Sequence, residues 1–189
     1  MHLILASNSP RRKQLLAGLD IPFEVKVLPG IEENYPQDLP VNQVAGFIAK
    51  LKAEPYQSVI DDDTVVLTAD TVVISENRIF GKPANEAEAE EMLLALSGKT
   101  HQVTTGVCLT SRTWQHSFDV TSDVTFKQFT PEEIHYYISH YRPFDKAGAY
   151  GIQEWIGYIG VTGLKGSYFN VMGLPVQRIY QELKQLNLI

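Results

Sequence analysis

The chain has 189 residues, of which 44% are hydrophobic and 20% are charged, and its formal net charge is −6. This is the composition of a globular protein with a sizeable core, and the acidic balance disfavours broad binding to nucleic acid or to a membrane surface. Cys108 is the single cysteine, and neither a signal peptide nor an apolar run of about 20 residues is evident. The sequence therefore predicts a cytoplasmic protein in which a locally basic cleft could still bind a small anion.

The first half of the chain alternates predicted strands with predicted helices. Runs of apolar and β-branched residues predict strands, and apolar residues three or four positions apart predict helices. The "ENR" stretch is a turn signal that allows a hairpin. In chain order the prediction is a strand at 2–6, a helix at 10–18, a strand at 23–28, a polar loop at 29–40, a helix at 41–53, and a strand at 64–75 paired with 79–81.

The second half begins with a well-marked helix after Asn85 and contains another after Thr130, since both residues suit the position before a helix. Between these helices, alternating apolar residues predict a long antiparallel pair of strands with a turn near 112–115. The predicted elements are this pair at 103–109 and 118–126, glycine-rich loops with short strands at 143–173, and a last helix at 175–186. The pattern predicts an α/β fold with a mixed sheet, in a single domain over 1–189 with no separable linker.

The "SPRR" stretch near the N-terminus is the first candidate site. Ser9 and Pro10 suit the cap and first position of a helix, whose free N–H groups carry partial positive charge and bind anions. Arg11 and Arg12 add full charges in the first turn, where the helix dipole disfavours cations. Two interpretations stay open, a phosphate site or a pair of exposed arginines that contact nearby acidic residues.

Three further stretches offer polar groups at the ends of predicted elements. Asp70 follows a strongly apolar strand, where a carboxylate could hold a divalent metal, activate a water or cap a turn. Lys82 suits a phosphate as a point charge, but it also suits an exposed loop, and Lys52 could simply complement a helix dipole. Gln153, at the end of the "FDKAGAYGIQ" segment, offers a donor and an acceptor that suit the edge of a nucleobase, although the segment could also be an ordinary loop.

Taken together, these motifs occur in one order along nearly the whole chain. They are the "SPRR" start, Glu33, Lys52, the "ADT" and "GKP" triplets, "SG" at 97–98, "DKAGAYGIQ" at 145–153 and "NVMGLP" at 170–175. This arrangement resembles the Maf family of nucleoside triphosphate pyrophosphatases. The "DKAGAYGIQ" segment resembles the branch of that family that acts on dTTP and UTP.

The resemblance implies a fold related to that of inosine-triphosphate pyrophosphatases, with an elongated mixed sheet, helices around it and two lobes beside a central cleft. It implies hydrolysis of dTTP and UTP to the monophosphate and pyrophosphate with Mg²⁺ or Mn²⁺. The implied site residues are Asp70 as general base, Ser7, Arg12, Lys52 and Lys82 as substrate contacts, Arg11, Thr71 and Gln153 as residues that select the base, and Glu33 with Asp70 on the metal side.

The sequence departs from the family after Gln153, where "EWIGY" replaces the glycine-rich run of many relatives, so Glu154 and Trp155 are candidates to reshape the base pocket. Two alternatives accompany the main prediction. One is a pyrophosphatase for 7-methyl-GTP or another modified nucleotide, and the other is a nucleotide-binding regulator of septum formation. A regulator needs no catalytic carboxylate, so Asp70 favours an enzyme. The expected partner is a nucleoside triphosphate, with no nucleic acid or membrane, and a homodimer is compatible with the sequence.

Overall fold

The computed structural model describes residues 1–189 and contains one mixed sheet of seven strands together with seven α-helices. The strands are β1 (His2–Leu5), β2 (Phe23–Val25), β3 (Thr64–Ser75), β4 (Arg78–Phe80), β5 (Thr100–Thr110), β6 (Gln115–Phe126) and β7 (Val161–Lys165). The helices are α1 (Pro10–Ala17), α2 (Val44–Ala53), α3 (Glu86–Leu96), α4 (Pro131–Tyr141), α5 (Trp155–Gly160), α6 (Tyr168–Met172) and α7 (Val176–Gln185). The predicted α/β class is therefore confirmed.

The strand order in the sheet is β2-β1-β3-β5-β6-β7, and β4 pairs with β3 outside this path. β1 runs parallel to β2 and β3, whereas β4 runs antiparallel to β3 and β7 antiparallel to β6. Cross-strand contacts show that β5 and β6 are also antiparallel, because partners advance along one strand as they retreat along the other: Thr100–Thr125, Gln102–Asp123 and Thr104–Thr121. The predicted long antiparallel pair is confirmed.

The chain forms two compact units, each assembled from discontinuous segments. The first comprises Met1–Thr71, Thr105–Val120 and Gly173–Ile189, and the second comprises Val72–Thr104 and Thr121–Met172. Apolar side chains from β1, β3, β5 and α2 are buried in the first unit. A larger cluster from α3, α4, β6 and the segment 149–156 forms the core of the second. The single domain expected over 1–189 stays a prediction. None of the helices is long and apolar enough to span a bilayer.

The main difference from the predicted elements lies in the glycine-rich segment, where the structure adds α5 and α6 to the short strand β7. The glycines of α5 serve close packing there. A Cβ on Gly157 would lie 1.8 Å from the carbonyl oxygen of Ile152, and a Cβ on Gly160 would lie 2.3 Å from the Phe129 ring. Glycine ordinarily lowers helix propensity, so sequence reasoning assigned loops to residues that tertiary packing holds in helices.

Candidate active site

The "SPRR" stretch begins α1 as predicted. Ser9 has extended backbone angles and its Oγ accepts the N–H of Arg12 at 3.4 Å, while Pro10 occupies the first helical position. Ser7 supports this cap, because its Oγ accepts the N–H of Ser9 at 3.2 Å. The capped start places Arg11 and Arg12 on the first turn of α1, where both are half-buried.

Arg12 holds β3 on both sides of Asp70. Its Nη1 donates to the carbonyl oxygen of Ala69 at 2.8 Å, and its Nη2 donates to Thr71 Oγ1 at 3.1 Å. Ala6, the residue after β1, donates its N–H to the carbonyl oxygen of Leu67 at 2.9 Å, two residues before Ala69. Alternate carbonyl groups of a strand point to the same edge, so the carbonyl groups of Leu67 and Ala69 face the same side. Because β1 has ended before Ala69, the guanidinium of Arg12 takes the place of a backbone donor there.

The third bond of Arg12 runs from Nε to the carbonyl oxygen of Gly173 at 2.9 Å. Gly173 has φ +117°, a conformation that side-chain-bearing residues rarely adopt, and this presents its carbonyl to the guanidinium. Thr71 Oγ1 also lies 2.9 Å from Thr105 Oγ1. Burial lowers the pKa of Arg12 from its ordinary value, and the negative charge of Asp70 opposes that change. Three of the five guanidinium N–H groups thus bind the protein, which leaves two for a ligand.

The carboxylates of Asp70 and Glu33 both contact the ammonium group of Lys52. The Nζ of Lys52, in the last turn of α2, lies 2.8 Å from Asp70 Oδ1 and 3.1 Å from Glu33 Oε1. Lys52 and Asp70 are largely buried, with side chains 16% and 15% exposed, whereas Glu33 is 53% exposed. The lysine orients Asp70 from one side, and its other carboxylate oxygen makes no hydrogen bond to the protein.

The donor chemistry of Asp70 and Glu33 fits a hard divalent cation. Mg²⁺ is usually held by one or two carboxylates together with substrate phosphates and water, rather than by a complete cage of protein ligands. Both carboxylates contact the same ammonium, so they are close enough to place negative charge around one position. The predicted metal residues therefore fit the group, and their metal-binding role stays a prediction.

The second unit carries Gln153 and Lys82. The Oε1 atom of Gln153 is buried and has no hydrogen-bond partner. A buried acceptor without a donor is costly unless a ligand supplies one. Lys82 is exposed and follows Gly81, whose carbonyl oxygen accepts the N–H of Gly148 at 3.0 Å. The structure thus joins the "GKP" and "DKAGAYGIQ" motifs through their backbones, although they are far apart in sequence.

The predicted site residues therefore fall into two sets. The first unit holds Ser7, Arg11, Arg12, Glu33, Lys52, Asp70 and Thr71, and the second holds Lys82 and Gln153. Sequence reasoning missed the hydrogen-bonding roles of Thr105 and Tyr137. Both lie in regular elements where alternation or helical period predicts only packing, so the sequence carries no signal for their hydroxyl contacts.

In this α/β fold, Asp70 lies in β3, where Lys52 binds its carboxylate and Arg12 binds the residues on either side of it. These residues define a candidate hydrolase site for an anionic substrate. The model of the family described as "Maf-like protein" matches residues 2–186, and the chain belongs to this family. A protein of Phocaeicola vulgatus named dTTP/UTP pyrophosphatase is 59% identical over 97% of this chain and 95% of its own length. One of Porphyromonas gingivalis with the same name is 53% identical over 96% and 92%.

A solved structure, the Ham1 protein of Staphylococcus aureus, is distantly similar. It shares 15% identity over 84% of this chain and 91% of its own, with a TM-score of 0.47.

Proposed function

We propose that this protein hydrolyses dTTP and UTP to the corresponding monophosphate and pyrophosphate. The observation that carries the proposal is the 59% identity over 97% of the chain to a protein named for this activity. The names of the relatives favour it over a 7-methyl-GTP pyrophosphatase and over a regulator of septum formation. The contacts of Asp70 with Lys52, and of its two neighbours in β3 with Arg12, support the proposal.

Asp70 is proposed as the general base. Lys52 binds one of its oxygens, and the other is left to accept a proton from the water that attacks the α-phosphorus. Arg12 fixes the two residues that flank Asp70 in β3, so the carboxylate is held from both sides. A base fixed in this way lowers the entropic cost of aligning water and phosphate.

The cations are proposed to neutralise phosphate charge. Arg12 has two N–H groups left for a phosphate after its three bonds to the protein, and Lys52 lies beside the base. Lys82 is an exposed point charge that can follow the leaving pyrophosphate. Ser7, next to the cap of α1, is proposed to donate its hydroxyl to the same substrate.

Base selection is proposed for Gln153, with Arg11 and Thr71. The imide N–H of thymine or uracil would satisfy the unpartnered Oε1 of Gln153, and the amide N–H₂ could donate to a flanking carbonyl. The hydroxyl of Thr71 already contacts Arg12 and Thr105, so its contribution would come through this arrangement or through its methyl group.

A divalent cation, Mg²⁺ or Mn²⁺, is proposed to be held by Asp70 and Glu33 with the substrate phosphates, where it would supply charge stabilisation. Chelation should abolish pyrophosphate release, and Glu33→Gln should raise the Mg²⁺ concentration needed for half-maximal rate. A calorimetric titration of Mg²⁺ into the variant and the parent protein checks the site without turnover. Equal affinities would assign the metal to other residues.

The decisive experiment measures pyrophosphate release from dTTP and UTP by the parent protein and by Asp70→Asn. The variant should lose about 10²–10⁴-fold in kcat while it retains nucleotide binding, because the amide cannot accept the proton. Asp63→Asn is the matched control, since Asp63 is exposed immediately before the same strand and should leave kcat unchanged. Full activity in Asp70→Asn would refute the assignment of the base.

Cytoplasmic location, independence from nucleic acid and membranes, and a homodimer stay predictions. Sedimentation velocity at several protein concentrations tests the dimer directly.

A further inference from the structure

A buried polar network in the second unit surrounds the segment that ends in Gln153. Tyr137, fully buried on α4, accepts the N–H of Gly151 at 3.0 Å and donates its hydroxyl to Glu154 Oε2. Burial, the bond to Glu154 and the negative charge of Glu154 raise the pKa of Tyr137 well above its ordinary value. The phenol therefore remains a donor at neutral pH. It links Gly151, two residues before Gln153, to Glu154, the residue after it.

The other carboxylate oxygen of Glu154 completes the network. Glu154 Oε1 lies 3.2 Å from Lys146 Nζ, which in turn lies 2.7 Å from Asp145 Oδ1. The side chains of Lys146 and Glu154 are only 10% and 20% exposed, so this pair is shielded from solvent far more than a surface ion pair. It ties the start of the "DKAGAYGIQ" segment to the residue that follows its end.

The side chains of this network meet at Gly151. A Cβ on this glycine would stand 3.1 Å from Gln153 Nε2, from Glu154 Cδ and from Lys146 Cε. All three atoms therefore border the same small space over Gly151, which places the Gln153 amide in the neighbourhood of the ion pair. The same amide carries the buried Oε1 that has no partner in the protein.

We propose that Glu154 is a positioning residue for base selection: its carboxylate, held by Tyr137 and Lys146, fixes the Gln153 amide in the orientation that accepts a pyrimidine imide. The inference rests on the proposed function, because it assumes that Gln153 reads the base. It assigns a role to the residue at which this chain departs from the glycine-rich run of many relatives. Trp155, the other departure, instead packs on Tyr136 of α4 with ring centroids 4.7 Å apart.

The test compares kcat/KM for dTTP and for dATP in Glu154→Gln and Tyr137→Phe. Each variant should reduce the dTTP-to-dATP preference by about 10-fold, mainly through KM, because a mobile amide loses most of its discrimination. The double variant should lose little more than either single variant, since both act through one linkage. An unchanged preference in folded Glu154→Gln and Tyr137→Phe would overturn the proposal.

Glu133→Gln is the matched control. Glu133 is the partner of Lys127 at 2.6 Å in the same unit and also caps α4, so its loss should lower stability and leave the base preference unchanged. An equal change of preference in this control would reduce Glu154 to a structural role and overturn the proposal.

A second measurement separates this inference from the proposed function. Titration of the parent protein and of Glu154→Gln with dTMP and with dAMP measures base preference without hydrolysis. If the parent protein releases no pyrophosphate, the proposed function fails, yet a loss of dTMP preference in the variant still supports the role of Glu154. If the parent turns over dTTP and neither measurement changes in the variant, only the role of Glu154 fails.

Discussion

Replacing Arg12 by lysine separates two roles of this side chain, because the substitution keeps the positive charge and removes the planar fork. The guanidinium donates to Ala69, Thr71 and Gly173 at 2.8–3.1 Å, whereas one ammonium on a shorter reach can satisfy about one of these acceptors. Each lost bond from a charged donor is worth about 1.5–3 kcal/mol, so the loss of two bonds in Arg12→Lys should lower the free energy of unfolding by about 3–6 kcal/mol.

The catalytic consequence follows from the position of Asp70 between two of these acceptors. A displacement of the base by about 1 Å can cost about 10²-fold in rate, so we expect kcat for dTTP to fall by about 10–100-fold with a smaller change in KM. Urea unfolding and steady-state pyrophosphate release measure the two effects, with Lys13→Arg, at the next and exposed position of α1, as the matched control. If Arg12→Lys retained both parental kcat and stability, the clamp would have no role and Arg12 would act as a charge alone.

Three further variants test the candidate site and, with His101, the buried core of the second unit, where His101 contacts Tyr150. Lys52→Met leaves Asp70 and Glu33 without their shared cation and should lower kcat for dTTP by about 10-fold or more; a parental pyrophosphate-release rate would contradict this. Gly173→Ala forces a side chain onto φ +117° and should cost about 1–3 kcal/mol in urea unfolding, so parental stability would argue against strain. Burial lowers the pKa of His101 from 6.5 to about 4, so on acidification the unfolded state gains the proton first and stability falls. Between pH 8 and pH 5 this loss should be about 2 kcal/mol, and His101→Gln should remove it; equal pH dependence of both proteins would exclude His101.

The regular elements could be predicted because their signals are local. The cap residues Ser9, Asn85 and Thr130 all accept backbone N–H groups at the helix starts that the sequence assigns to them. Alternation likewise identified β5 and β6. The short helix α5 could not be predicted, because its two glycines lower helix propensity and are explained only by close packing against the Ile152 backbone in the preceding turn and against the Phe129 ring, 31 residues before Gly160.

The roles of the candidate site residues stay predictions, and their contacts could not be predicted from the sequence. The motifs pointed to Lys52, Asp70 and Glu33, and the structure places all three at one shared ammonium. No local sequence signal, however, predicts the bond from Arg12 in α1 to the carbonyl group of Gly173, 161 positions further along the chain. Such long-range bonds depend on the tertiary fold, and so do the links of Tyr137 to Gly151 and Glu154.

The two adjacent arginines illustrate where sequence reasoning stops. A cation in the first turn of a helix opposes the dipole, so its presence pointed to an anionic ligand. For Arg12 the fold supplies another reason, because the guanidinium completes the edge of β3 with bonds that do not require a ligand. A phosphate can use only the donors that remain. Charge at a helix start is therefore ambiguous evidence for an anion site, and the fork geometry of arginine allows one residue to hold the strand around Asp70 and still offer N–H groups to an anion.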